Sequence, residues 1–399
     1  MLSTLPESAQ RDELELALQS ALGMPLIATK GYAAPETGAA YARAHELCER
    51  MGCAERLLPI VYGRWAYHLV GGEHPTGRRL AEQFLSLAES QADTALELVG
   101  HRILAMSLVH LGQLQAGRAQ IEQALGLYDP RRHRSLTFRF GQDQQASGLA
   151  FLALVLWLSG FPDQAGRAIE RALGVLEELN HVNSRGYVLV WGAATLAQLR
   201  RDVAAVRRHV DEVVPLSEEH GLGLWLADGK VFRGWALAKE GRQEEGRAEL
   251  LKALAECQAT RTRMHRPYHL SLLAEALHRS GRSEEGLQAV DEALAMVEET
   301  EERWWEADLH RLRGDLLLSL STQNAAGAAA EYDAALRTAR QQGARMLELR
   351  AATSLARLRR DQGGHGEARD LLAPVYAWFA EGLATADLKD ARALLDELS

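Results

Sequence analysis

Four arginines stand close together in YDPRRHRSLTFRFGQDQQASG, residues 128–148. Arg131, Arg132, Arg134 and Arg139 face only Asp129 and Asp143, in a chain whose net charge is -9. A guanidinium fork pairs bidentately with phosphate or carboxylate, so this cluster could hold a phosphate or a carboxylate-rich peptide. The polar run from Gly141 to Ser147 leads into an apolar helical stretch, and the unpaired N–H groups of a helix's first turn attract anions. Gln142 and Asp143, at that junction, join the arginines as candidate contacts. The competing reading is structural: Leu136, Phe138 and Phe140 alternate, so the segment would tuck its aromatics beneath itself while the arginines pair with acidic neighbours.

Three other groups of residues could do chemistry. His265 and His269 in MHRPYHLS have the four-residue spacing of a helical metal pair, but Pro267 suits a first helical turn, which puts His265 at or before the helix start. No acidic or cysteine ligand is near them in sequence, so capping and packing explain the pair and no metal site is expected. Cys48 and Cys53 are offset by five residues, which does not place them on one helical face, and buried cysteines commonly act as small apolar residues. In ERWWEADLHRLRGDLLL, Trp305, Leu309, Leu312 and Leu316 form a core stripe, whereas Trp304 shares its face with Asp308 and Arg311. An exposed Trp304 would be a ligand contact; the alternative is packing against an adjacent repeat. No nucleophile–base pair or ligand cluster emerges, so neither catalysis nor a cofactor is expected.

Composition narrows the class of molecule that positions these residues. The chain has 399 residues, 47% hydrophobic and 25% charged, which permits a core and excludes general disorder. An acidic balance argues against nucleic acid as a partner. The longest apolar run, LAFLALVLWL, is about half of the roughly 18 residues that span a bilayer. MLSTLPESAQRDELELALQ lacks the basic start and apolar stretch of a secretory leader. Three cysteines, with no CxxC spacing, indicate a reducing compartment. A soluble cytoplasmic protein is expected.

The strongest signal is a period. LGQLQAGRAQIEQAL (111–125), SGFPDQAGRAIERAL (159–173), EGRQEEGRAELLKAL (240–254) and SGRSEEGLQAVDEAL (280–294) align without gaps. Each carries Gly, a small residue five later, then Ala-Leu. With weaker copies, turns fall near 32, 72, 112, 160, 201, 241, 281, 323 and 363, about 40 residues apart except for one unit of about 48. That longer unit contains the arginine stretch, so 129–147 reads as an extended connection between the third and fourth units. Before each turn lies an apolar helical segment; after it comes an amphipathic one whose small residue allows close helix approach. Glycine suits the left-handed residue that ends a helix. The expected fold is all-α, with residues 1–399 forming a single right-handed superhelical solenoid of about nine antiparallel helix pairs.

Gly at the turn and Ala-Leu in the second helix resemble tetratricopeptide repeats, whose period is about 34 residues; the longer period implies an expanded form. A narrower resemblance rests on ALGMPLIATKGYAAPE (21–36), HRSLTFRFGQD (133–143), FRGWALAKEGRQEEG (232–246), ERWWEADLHRLRGDLLL (302–318) and VYAWFAEGLATADLKDARALLDEL (375–398). These are similar to the C-terminal repeat region of bacterial multidomain signalling proteins. In that family a class III nucleotide cyclase domain is followed by a P-loop ATPase and then by tetratricopeptide-like repeats. The chain looks like that repeat region alone, as a fragment or a free-standing relative.

The chain departs from the family in lacking its catalytic motifs. No GxxxxGK[ST] loop is present; GLWLADGKV has one residue too many between its glycines and Val231 where a hydroxyl should bind magnesium. The resemblance therefore implies only regulatory binding: a groove, lined by first helices, that takes a protein or peptide, or a small anionic effector. Arg64, His68 and Arg233, off the core stripes of such helices, are candidate contacts. The expected function is a non-catalytic interaction and sensor module acting on an ATPase or cyclase, attached or separate. The alternative is a stand-alone repeat scaffold, with an enzyme of unrecognised site a poorer third.

Overall fold

The apolar segments at three- and four-residue spacing fold as helices throughout the computed structural model, which describes residues 8–399. Residues 1–7, part of the stretch read for a leader, lie outside the described residues. Those described form nine successive helix pairs, from Ala9–Lys30 with Pro35–Met51 to Arg345–Asp361 with His365–Ala377, and a terminal helix Ala386–Glu397. Among the described residues there is no strand, and no helix is long and apolar enough to cross a membrane.

Within a pair the chain reverses through a left-handed residue. Gly72 (φ 81°) and Gly112 (φ 77°) are examples, and the non-glycine Arg201 takes the same conformation at φ 59°. At 322–324 the reversal is instead a 3-10 turn, with Ser321 Oγ accepting from the Gln323 N–H at 3.1 Å.

The superhelix is wound tightly enough to touch itself about five pairs later. The last carbonyls of a helix have no partner within it, and here the following superhelical turn supplies one. Val70 O accepts from the Arg263 and Met264 N–H groups at 2.9 and 3.1 Å, and His110 O accepts from Arg303 N–H at 2.7 Å. Glu381 caps the helix Pro162–Glu178 from outside, accepting from the Asp163 and Gln164 N–H groups at 3.0 and 3.1 Å. Glycine at Gly72 serves both purposes, since a Cβ there would lie 2.9 Å from Arg263 Cβ.

This closure changes what the first helices face. In a stack touching only sequence neighbours they would line an open groove. Here the helix Gln144–Leu158, apolar on every side, has no exposed residue, because later repeats cover its inner face. One continuous core runs from Ala33 to Leu398, with a small satellite around Leu16, Leu47 and Ile60.

The lengthened connection folds as two short helices, Pro130–His133 and Leu136–Phe140, pinned at the C-terminal end. Tyr62 OH donates to Phe140 O at 2.9 Å and Asn183 Nδ2 to Gly141 O at 2.6 Å. Alternation does not describe this segment: as a helix it buries Leu136 and Phe140, four apart, and leaves Phe138, on the opposite face, 81% exposed.

Candidate functional site

The solenoid stays open at one end of its inner face. A cavity of about 440 Å³ lies there, lined by the first helices of pairs five to nine, by Tyr332 of the second helix of pair eight and by the terminal helix. Its walls are charged with both signs. Lys239 pairs with Glu275 at 3.0 Å, and Trp235 Nε1 donates to the same carboxylate at 2.9 Å. Arg311 Nε donates to Asp308 at 2.7 Å and its Nη1 to Asp315 at 2.5 Å; Tyr332 OH donates to Asp315 at 2.7 Å. Arg201, held in its left-handed turn, pairs with Asp387 and, at 2.8 Å, with Asp390. Arg350 Nη2 donates to Leu199 O at 2.8 Å, and the guanidinium lies 4.9 Å from the Trp157 ring and 5.8 Å from that of Trp305.

These pairings set the electrostatics. Burial disfavours the charge on Glu275, but Lys239 and the Trp235 N–H outweigh it and hold the carboxyl below its usual range. For Asp308, Arg311 and Arg350 outweigh burial in the same direction. Burial together with Asp315 raises the Tyr332 phenol well above its ordinary value. Arg357, exposed on the same wall, makes no ion pair among the described residues. The cavity can thus present fixed carboxylates and guanidiniums, with one cation available, to a small polar molecule.

None of the ten residues expected as contacts lines this cavity. Arg131, Arg132, Arg134 and Arg139 are exposed on the pinned connection; Arg134 pairs with Glu178 at 3.2 Å, and Arg139 lies 5.3 Å from the Phe140 ring. The helix start that was to bind an anion is already occupied. Asp143 Oδ1 takes the Gln145 and Ala146 N–H groups at 3.0 and 2.8 Å, and its other oxygen accepts from Tyr128 OH at 3.2 Å. Gln142 is buried and accepts from Arg102 Nη1 at 3.4 Å. Trp304 is not exposed on a polar face: it is 1% exposed, packed against His265 and Tyr268 of the preceding pair, and donates to Glu302 at 2.9 Å.

The remaining candidates are also engaged elsewhere. His68 Nδ1 lies 3.0 Å from Glu73, and Arg233 pairs with Glu249 on the flank of its own helix pair. Arg64 is half-buried and acts electrostatically on His45 and His68. The connection does border two clefts, of about 390 and 510 Å³, that meet at Met24, Ile27 and Tyr32, with Phe138 lining one and Arg139 the other.

The cysteine pair departs from expectation as well. Cys48 lies in the last turn of Pro35–Met51 and Cys53 precedes the next helix; the reversal at Gly52 (φ 65°) brings their sulfurs to 2.8 Å. Offset along a single helix does not apply to residues on either side of a turn.

A signal for the groove residues was available in the register. Trp235, Glu275 and Asp315 stand forty residues apart on successive first helices.

The architecture defines a tetratricopeptide-like helical-repeat solenoid. Among solved structures, the Rap protein complexed with Competence and Sporulation Factor shares the fold at 12% identity and a TM-score of 0.53, with 86% of this chain and 97% of that one covered. A signal transduction ATPase with numerous domains, carrying a tetratricopeptide repeat sensor, from Pyrococcus horikoshii is 14% identical at a TM-score of 0.48, covering 96% of this chain and 54% of that one. An uncharacterized protein of Rhizobium meliloti (strain 1021) is 27% identical over 358 residues, 89% of this chain. The chain spans 34% of that relative's length. No family model matches.

Proposed function

We propose that the chain is a non-catalytic binding module that takes a short peptide, or a polar effector of similar size, in the charged cavity at the open end of its superhelix. The observation that carries this reading is the cavity of about 440 Å³, whose walls come from five successive first helices and offer both charge signs. That volume falls in the range of about 300–1,000 Å³ usual for small-ligand sites. The Rap protein, of the same fold, forms a complex with Competence and Sporulation Factor, which agrees with a ligand of this kind. Regulation of an ATPase or cyclase is the role we assign within a longer protein; the greater length of the Rhizobium meliloti relative is compatible with it.

A pool of random tripeptides equilibrated with the chain, followed by mass spectrometry of the retained fraction, tests the reading. Retained peptides should raise the melting temperature of the wild type. They should bind Arg357→Glu at least about tenfold more weakly, a loss of about 1.4 kcal/mol, with its helicity unchanged. No retained peptide, or equal affinity for Arg357→Glu, would overturn it.

A further inference from the structure

Away from that cavity, three helices converge on a buried cluster with no part in it. Asp228 lies on the helix Gly223–Lys239, Cys257 on Gln243–Ala259 and His269 on Arg266–Arg279. They are 1%, 3% and 1% exposed, and one carboxylate oxygen, the thiol sulfur and one imidazole nitrogen all lie within 4.8 Å of one another. Two of these atoms lack hydrogen-bond partners: Asp228 Oδ1 and His269 Nε2, 3.8 Å apart. Buried polar atoms are seldom left so, and here they are aimed at the same point as the sulfur.

We propose that Asp228, Cys257 and His269 form a binding site for a divalent transition metal of the zinc class. One thiolate, one imidazole and one carboxylate are ligands this class takes, whereas magnesium and calcium require oxygen donors. Metal–ligand bonds of about 2.0–2.3 Å put tetrahedral ligand atoms roughly 3.3–3.7 Å apart, a modest contraction of the triangle. Binding would release the thiol proton and leave a fourth position for water.

Trp191 Nε1 donates to the outward oxygen, Asp228 Oδ2, at 2.9 Å, turning Oδ1 toward His269 and Cys257. Trp191 is aimed by a π-helical segment, Val188–Ala194, a local departure that often marks functional positions.

A second triad, His110, His265 and Glu302, is equally buried; His265 Nδ1 has no partner there, but the other groups already bond one another. His110 Nε2 and His265 Nε2 are hydrogen-bonded at 2.8 Å, and Glu302 accepts from the His265 N–H at 2.9 Å and from Trp304 at 2.9 Å. A metal there would have to break those bonds; at Asp228, Cys257 and His269 it would break none.

The test uses the full chain, stripped with a chelator and titrated with Co²⁺ and Zn²⁺. One equivalent should bind, and Co²⁺ should give thiolate-to-metal charge-transfer absorption. Both should persist in Cys48→Ser/Cys53→Ser and vanish in Cys257→Ser and His269→Asn. Trp191→Phe should weaken affinity about 10–100-fold, as loss of outer-shell partners does. X-ray absorption of the Zn²⁺-loaded wild type should show one sulfur with nitrogen and oxygen donors, a readout independent of how the variants fold. Failure of the wild type to bind, two sulfurs around zinc, or charge transfer surviving in Cys257→Ser would overturn the assignment.

Discussion

Replacing Glu302 with Ala should open the contact between superhelical turns. Glu302 is 1% exposed and lies where the second pair meets the seventh and eighth. Its carboxylate is 3.2 Å from His74 Nε2 and accepts from the His265 N–H at 3.0 and 2.9 Å and from Trp304 Nε1 at 2.9 Å. Burial disfavours the charge, but the bonds from His74 and Trp304 and the nearby imidazoles outweigh it and hold the carboxyl below its usual range. Removing it strands three buried donors, each worth about 1–3 kcal/mol when unsatisfied. Loss of one partner from a buried charged network costs about 3–5 kcal/mol, and that is the expected destabilisation. Urea unfolding at pH 7 measures it, with Glu298→Ala, an exposed partner of Arg303, as the control that should not move the midpoint. Hydrogen exchange gives the local readout: the Arg263, Met264 and Arg303 amides, which donate across the turns, should lose protection before those inside the helices. A loss below about 1 kcal/mol, the scale of an exposed pair, with protection unchanged at those amides, would refute the idea that the superhelical closure depends on this carboxylate.

Other expectations follow from the same geometry. Burial, with His74 stacked at 5.0 Å, pushes His110 down to about 4 despite Glu302 nearby and the Met106 carbonyl bonded at 2.7 Å. His265 Nε2 at 2.8 Å and the Phe151 ring complete its surroundings. An unfolded histidine titrates near 6.5, so the unfolded state binds the proton first. Stability should therefore be full above that pH and fall by about 3 kcal/mol as pH drops toward 4; urea midpoints across this window check it, and His110→Gln should flatten the slope. Asp143→Ala should cost about 1–2 kcal/mol by uncapping the helix Gln144–Leu158, read as a lower thermal midpoint. Replacing Arg131, Arg132 and Arg134 together with Ala should shift stability by less than about 1 kcal/mol and leave peptide binding unchanged in a titration. Loss of binding would return the site to the connection.

The local code was legible and the distant one was not. Helix periodicity and turn glycines are nearest-neighbour properties, written in every copy from LGQLQAGRAQIEQAL onward, so helix pairing could be read directly. Which pair meets which after a full superhelical turn depends on small rotations summed over five units. No residue pattern states that sum. Trp304, polar-faced on its own helix, is buried against His265 and Tyr268 of the preceding pair, the packing alternative to an exposed contact. His265 and His269 looked like ordinary neighbours on one helix start, yet they belong to different clusters. His265 joins His110 across the turns, and His269 joins Asp228 and Cys257 within the sixth and seventh pairs. For the arginine cluster the helix start is what the sequence could not settle: Asp143, two residues beyond Gly141, takes the helix-end donors that an anion would need.

Closure also bears on how such a module would transmit binding. In an open solenoid each repeat senses only its neighbours, and a ligand at one end leaves the other untouched. Here Arg350 belongs at once to the cavity wall and to the turn-to-turn contact, bonding Leu199 O and Asp387 while stacking on Trp157 of the fourth pair. Arg201 does the same through Asp387 and Asp390. A ligand that draws on these carboxylates or guanidiniums therefore has different contacts available in the closed and opened superhelix. A difference in contacts between two states is what allows binding to shift their populations. The proposed ligand would thus draw on ion pairs that also fasten the fourth and fifth pairs to the ninth pair and the terminal helix, so its binding would bear on how firmly that closure is held.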